Sequence, residues 1–270
     1  MKMRVLAAVA LIPVLLAVIL AAPPVLTAIL CGVVCAIAAA ELLTGTRLVK
    51  HIRLVAYSVI AAFFVPIWCY NEMDHLFGLL GIILYVSVLF AEILASHGKL
   101  RIERVAVSAF AGLLIPYMLS ALVRIMGMDE GRKLILIPFI LAFLSDSGAY
   151  FVGCAWGKHK LAPNISPKKS IEGVVGGIAA AVIGMLLYCL ICALAFENQV
   201  NYAYAITYGV IGSLAGVFGD LCFSAIKRQT GIKDYGKLIP GHGGALDRFD
   251  SMIIVAPLVE ALLLLLPVLE

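Results

Sequence analysis

The 270-residue sequence predicts an all-α, polytopic integral membrane protein of about nine transmembrane helices, with a cytoplasmic N-terminus. Composition is the first observation behind this: 63% of the residues are hydrophobic and 13% charged, against about 25% charged in a soluble domain. The second is arrangement. Apolar residues come in long continuous runs rather than one-sided stripes, more apolar surface than a soluble core of this size can hide. The third is the one-sided placement of Lys and Arg.

In order, the runs lie near 5–22, 24–43, 54–70, 77–95, 105–123, 134–156, 174–196, 203–226 and 252–269. All but the short third run reach across a hydrocarbon layer of about 30 Å at about 1.5 Å per helical residue. They must be helical, because open backbone in lipid leaves amides unpaired. Lys2 and Arg4 before the first run resemble a secretory signal, but a second run follows at once, so the first is read as a retained span.

With the N-terminus inside, all but three of the 20 Lys and Arg fall on the inner side. The exceptions are Arg124, Arg132 and Lys133, beside Asp129 and Glu130. A wrong span count would scramble such a bias. The excess of positive charge (+4) therefore reports orientation first, and nucleic acid is not expected as a partner. Seven cysteines sit in or beside apolar runs and read as small apolar side chains.

Outer connections are short, whereas the inner segments 157–173 and 227–251 are the longest and the most charged. The expected division is therefore 1–133, N-terminal transmembrane helices for packing, and 134–270, the transmembrane region whose two cytoplasmic loops would carry any chemistry. The site is expected at the cytoplasmic face of the cell (inner) membrane.

Acids inside spans are costly unless paired or facing a cavity. Asp220 lies seven residues before Lys227, roughly 10 Å along a helix, and Asp220, Ser224 and Lys227 share a narrow sector. Gly212 and Gly216 below them allow close helix approach. Asp146, flanked by Ser145 and Ser147, repeats the pattern in the sixth span. Glu41 and Glu92 sit near inner span ends, where long side chains reach the interface. Glu260 is mid-span and has several open roles.

The segment after Asp220 reads KRQTGIKDYGKLIPGHGGALDRFD. Glycines permit close backbone approach to an anion, and Lys and Arg neutralise phosphate. Asp247 and Asp250, three apart, are suited to hold a hard cation with Asp220; Mg²⁺ takes one or two carboxylates plus phosphate oxygens. His242 is equally suited to a loop hydrogen bond or to catalysis. No P-loop pattern occurs. The loop GKHKLAPNISPKKSIEG adds Lys168 and Lys169 on the same side.

Ser224, Lys227, Arg228, Lys233, Asp234, Gly236, Pro240, His242, Gly243, Gly244, Asp247, Arg248 and Asp250 fall at the spacings of the phosphatidate cytidylyltransferase (CDP-diacylglycerol synthase) signature. Asp146 to Tyr150, Ser166 to Ser170 and Glu172-Gly173 resemble that family's second block, with Cys154 and Ile171 departing from its usual residues. The resemblance implies transfer of the cytidylyl group of CTP to phosphatidate, with Mg²⁺ and with room for a second cation. It implies Asp220 and Asp247 as metal carboxylates, with Asp250 and Asp146 as further candidates. Lys227, Arg228, Lys168 and Lys169 would bind phosphates; Ser224, Lys233, Gly243 and Gly244 complete the substrate-binding set, and Arg248 and His242 would order the loop or the leaving pyrophosphate. A homodimer in contact with membrane lipids is implied too. The alternative from another class is an ion-coupled transporter using Asp146, Asp220 and Glu260. It predicts charge spread over both membrane halves, and a CDP-alcohol enzyme would need a D-x-x-D-G-x-x-A-R pattern that does not occur.

Overall fold

A computed structural model describes residues 19–70, 75–238 and 243–269. Among them are seven helices long and apolar enough to cross a membrane. They are α1 (Pro24–Gly45), α2 (Ile52–Tyr70), α3 (Leu76–Ala95), α4 (Ile102–Met126), α5 (Gly131–Trp156), α6 (Ile171–Phe196) and α7 (Tyr202–Gln229). A hairpin, β1 (Lys160–Ala162) and β2 (Ser166–Ser170), joins α5 to α6, and α8 (Leu246–Phe249) and α9 (Met252–Leu265) follow α7.

These seven match the expected second to eighth spans. Most of the expected span 5–22 lies outside the described residues, although 19–21 are helical. The expected span 252–269 is shorter: α9 has 14 residues, about 21 Å of helix. Pro267 explains the stop, because its ring disfavours helical backbone at the residue before it, and Leu266 has left the helix at φ −139°.

The described chain forms two compact units. The first comprises 1–129 with 229–249, the second 130–228 with 250–270. In the first, α1 packs along α2, where a Cβ on Gly32 would lie 2.6 Å from the Phe63 carbonyl oxygen. A buried polar knot ties α2, α3 and α4 together: Ser58 Oγ and Tyr85 Oη share a 2.9 Å hydrogen bond, and Tyr85 donates to the Ser108 carbonyl at 2.7 Å. Gly112 leaves room for it, since a Cβ there would meet Tyr85 and Ser58.

In the second unit α5 and α6 are packed most closely, and the contact is made by small residues. A Cβ on Gly148 would lie 2.5 Å from Ala180 Cβ, and one on Gly177 would lie 2.8 Å from the Ser145 carbonyl. With no hydrophobic force between helices in lipid, such close backbone approach is what holds them. Gly212 of α7 lets Leu141 in, as its place on the packing face predicts, and Gly219 lies against the Asp250 carbonyl. The helix exteriors keep Leu94, Leu194 and Leu265 exposed, a surface suited to lipid rather than water. All seven cysteines are free thiols.

The hairpin stands where the sequence suggested only a loop. Pro163 and Asn164 occupy the turn closed by Ile165 N–H donating to the Ala162 carbonyl at 3.1 Å, a position that the fixed φ of proline favours. Pro167, which has no N–H to give, falls where the ladder between Lys160–Ser170 and Ala162–Ser166 is irregular.

Candidate active site

The second unit gathers charge at the Lys227 end of α7. Asp220, on the third-to-last turn, is half-buried, and its Oδ2 lies 2.6 Å from Lys169 Nζ. Its Oδ1 accepts from Ser224 Oγ at 3.1 Å, one turn on. The helical sector drawn from the sequence is therefore present in space. Lys227, one further turn along, is buried, and its Nζ lies 3.8 Å from Asp250 Oδ2, an ion pair held by charge rather than by a hydrogen bond. Asp250 Oδ1 accepts from Ser251 N–H at 2.8 Å.

Strand alternation separates the two lysines of β2. Neighbouring side chains on a strand point to opposite faces. Lys169 turns towards α7, where it also reaches the Val217 carbonyl at 3.5 Å, and Lys168 is exposed. Ser170 follows as the N-cap of α6, accepting from Gly173 N–H at 3.1 Å, which anchors the strand end. Arg228 is exposed and donates to the Ile165 carbonyl at 3.0 Å, tying the end of α7 to the hairpin turn.

Burial first, and then the Asp220 carboxylate, push the Asp250 carboxyl up to about 7, and Asp146 adds to this more weakly. Both acids thus raise Asp250, with Lys227 opposing the rise. Such repulsion is what a divalent cation relieves. Among the described residues no group of three or more His, Cys, Asp or Glu is placed to hold a metal by itself.

Asp247, Lys233, Gly243, Gly244 and Arg248 belong to the first unit. Asp247 is buried, and its Oδ2 accepts from Tyr235 N–H at 2.8 Å and Gly244 N–H at 3.0 Å. Gly243 has φ +86°, and a Cβ there would press on the Asp247 carboxylate, so glycine is the residue that closes this turn. Lys233 and Arg248 are exposed. His242 lies outside the described residues. Glu41, read in the sequence only as a long acid near an inner span end, lies at the end of α1 and accepts from Leu246 N–H at 2.9 Å. No spacing rule signals a contact between residues so far apart in the chain.

A family model described as the cytidylyltransferase family matches residues 2–266. Three curated relatives carry the name phosphatidate cytidylyltransferase. The chain is 43% identical to that of Staphylococcus epidermidis over 136 residues, which is 50% of this chain and 51% of the relative. It is 46% identical to that of Staphylococcus aureus over 138 residues, with the same shares, and 42% identical to that of Staphylococcus saprophyticus over 136. The chain thus spans about half the length of the curated relatives it matches. The family match runs far beyond that shared half, through the apolar helices and both charged loops alike, and on that extent the chain belongs to the cytidylyltransferase family.

Proposed function

We propose that the protein transfers the cytidylyl group of CTP to phosphatidate, giving CDP-diacylglycerol and pyrophosphate. The observation that carries this is the Lys169–Asp220–Ser224 and Lys227–Asp250 network, in a chain whose relatives are named for that reaction. A phosphate oxygen of phosphatidate attacks the α-phosphorus of CTP; the bond to the β-phosphate bridging oxygen breaks, and pyrophosphate leaves. The nucleophile is already anionic, so no activated Ser or Cys is needed. The task is to bring two anions together and hold them in line, which calls for cations and positioning.

Lys169 and Lys227 are half-buried and buried cations beside the carboxylates, placed to take phosphate oxygens when substrate enters. Lys168 and Arg228, both exposed, would draw the anionic substrates by charge. Asp220 and Asp247 would hold Mg²⁺, with Asp250 and Asp146 as further candidates; the ion would supply charge neutralisation at the phosphates. Ser224 keeps the Asp220 carboxylate aimed. Lys233, Gly243 and Gly244 would complete the substrate-binding set, and Arg248 and His242 would order the loop or the leaving pyrophosphate.

The proposal includes nine membrane spans, a cytoplasmic N-terminus and a cytoplasmic site in the inner membrane, supported by the one-sided Lys and Arg. It also includes a homodimer in the bilayer, supported by the family resemblance. An ion-coupled carrier has no such support, since the family match is to cytidylyltransferases.

The test incubates purified protein with labelled CTP, phosphatidate and Mg²⁺ and follows CDP-diacylglycerol. Product is expected, and D220N and D247N are each expected to lower turnover by at least about 10²-fold, as loss of charge stabilisation does. Absence of product from a protein with intact helical signal would remove the reading.

A further inference from the structure

The inner end of α1 is built into the first unit's share of the charged loop. Glu41 opens the π-helical turn Glu41–Gly45, a local widening that re-aims side chains and is frequent at functional sites. Its Oε2 accepts from the amide of Leu246, the first residue of the helix that carries Asp247. Glycines frame the carboxyl group on two sides: a Cβ on Gly236 would collide with Oε1, and one on Gly244 with Oε2. Four residues on, Gly45 meets the Tyr235 carbonyl so closely that a Cβ would clash. Tyr235 N–H in turn donates to Asp247. Glu41 from α1 and Asp247 from the loop thus hold the backbone amides of 235, 244 and 246 between them.

A carboxyl group at a span end ordinarily turns to water. This one is turned into a glycine-lined slot, where it accepts from the Leu246 amide. Its use there is to fix a chain path that glycines leave loose, since the described residues among 230–249 contain only the short α8. We propose that Glu41 is a positioning residue for the Asp247 loop: as acceptor for Leu246 N–H it sets where α8 begins, and so where Asp247 stands. What the loop then does rests on the cytidylyltransferase reading, but its ordering by Glu41 does not. The N-terminal helices would accordingly contribute to the site as well as to packing.

The test measures hydrogen exchange in residues 243–249 of the full chain, together with CTP kinetics. E41A is expected to speed exchange there by about 10- to 100-fold, the loss of one charge-assisted hydrogen bond. KM for CTP should rise by about 10-fold with kcat changed less, because ordering the loop is then drawn from substrate binding. E41Q keeps an acceptor in the same place and should stay within about 5-fold of wild type, since a neutral bond keeps about half the strength. G236A presses on the carboxyl group from the other side and should loosen 243–249 likewise, and the pair E41A/G236A should be no worse than E41A. Unchanged exchange in E41A, equal damage from E41Q, or additive damage in the pair would each overturn the proposal. If wild type makes no CDP-diacylglycerol while E41A still loosens 243–249, the enzymatic reading falls and the positioning stands.

Discussion

Lys168 and Lys169 are adjacent and chemically identical, yet the strand gives them different work. Lys169 is paired with Asp220 at 2.6 Å, whereas Lys168 is exposed on the other face of β2. Removing Lys169 leaves the Asp220 carboxylate with the Ser224 hydroxyl but no cation in its place, and an uncompensated half-buried carboxylate is costly. K169M is therefore expected to lower kcat/KM by at least about 30-fold, matching about 2 kcal/mol for a charge-assisted bond. K168M should stay within about 3-fold, the range of an exposed charge. Steady-state kinetics on both variants checks this, and equal losses would mean that the strand face does not decide the role. The sector Asp220–Ser224–Lys227 was legible in the sequence because helical period alone places i, i+4 and i+7 together. The split between Lys168 and Lys169 was not, because it needed a strand where the charged loop showed only turn residues.

Among the elements, the α5–α6 pair is the scaffold beneath that site, since β1 and β2 connect these two helices and Ser170 caps α6. Its contact depends on the absence of side chains. G148V would drive a branched side chain into Ala180 and the Gly176 carbonyl, which an ideal Cβ already meets at 2.5 and 2.7 Å. Overpacking of that kind costs about 1–3 kcal/mol, so G148V should lower the Tm in detergent and reduce turnover as the hairpin shifts. G81A in α3 is the control, because a Cβ there meets nothing within 4 Å. Equal Tm for both variants would refute close α5–α6 packing. Glycine spacing in α7 already showed a packing face in the sequence, while the partner of each glycine depended on the folded contacts.

For the molecule as a whole, the strongest expectation is orientation. The Lys and Arg bias places Lys237 inside and Gln199 outside. In a background without native thiols, Q199C should react with an impermeant maleimide in intact cells, and K237C only after permeabilisation. The reverse pattern would invert the topology and put the proposed site on the wrong side for CTP. Both residues are exposed, so lack of access within the fold cannot mimic the result.

The sequence by itself determined that this is a helical membrane protein, that its two most charged loops lie in the second half, and which motif those loops carry. Such properties follow from composition, from period and from local spacing, all of which are written along the chain. Tertiary structure alone decided that Lys169 rather than Lys168 meets Asp220, and that Glu41 of α1 holds the amide of Leu246. The two side-chain pairings depend on which segments approach in space, and the glycines that permit the Glu41 approach show their purpose only once the neighbour filling each empty Cβ position is known.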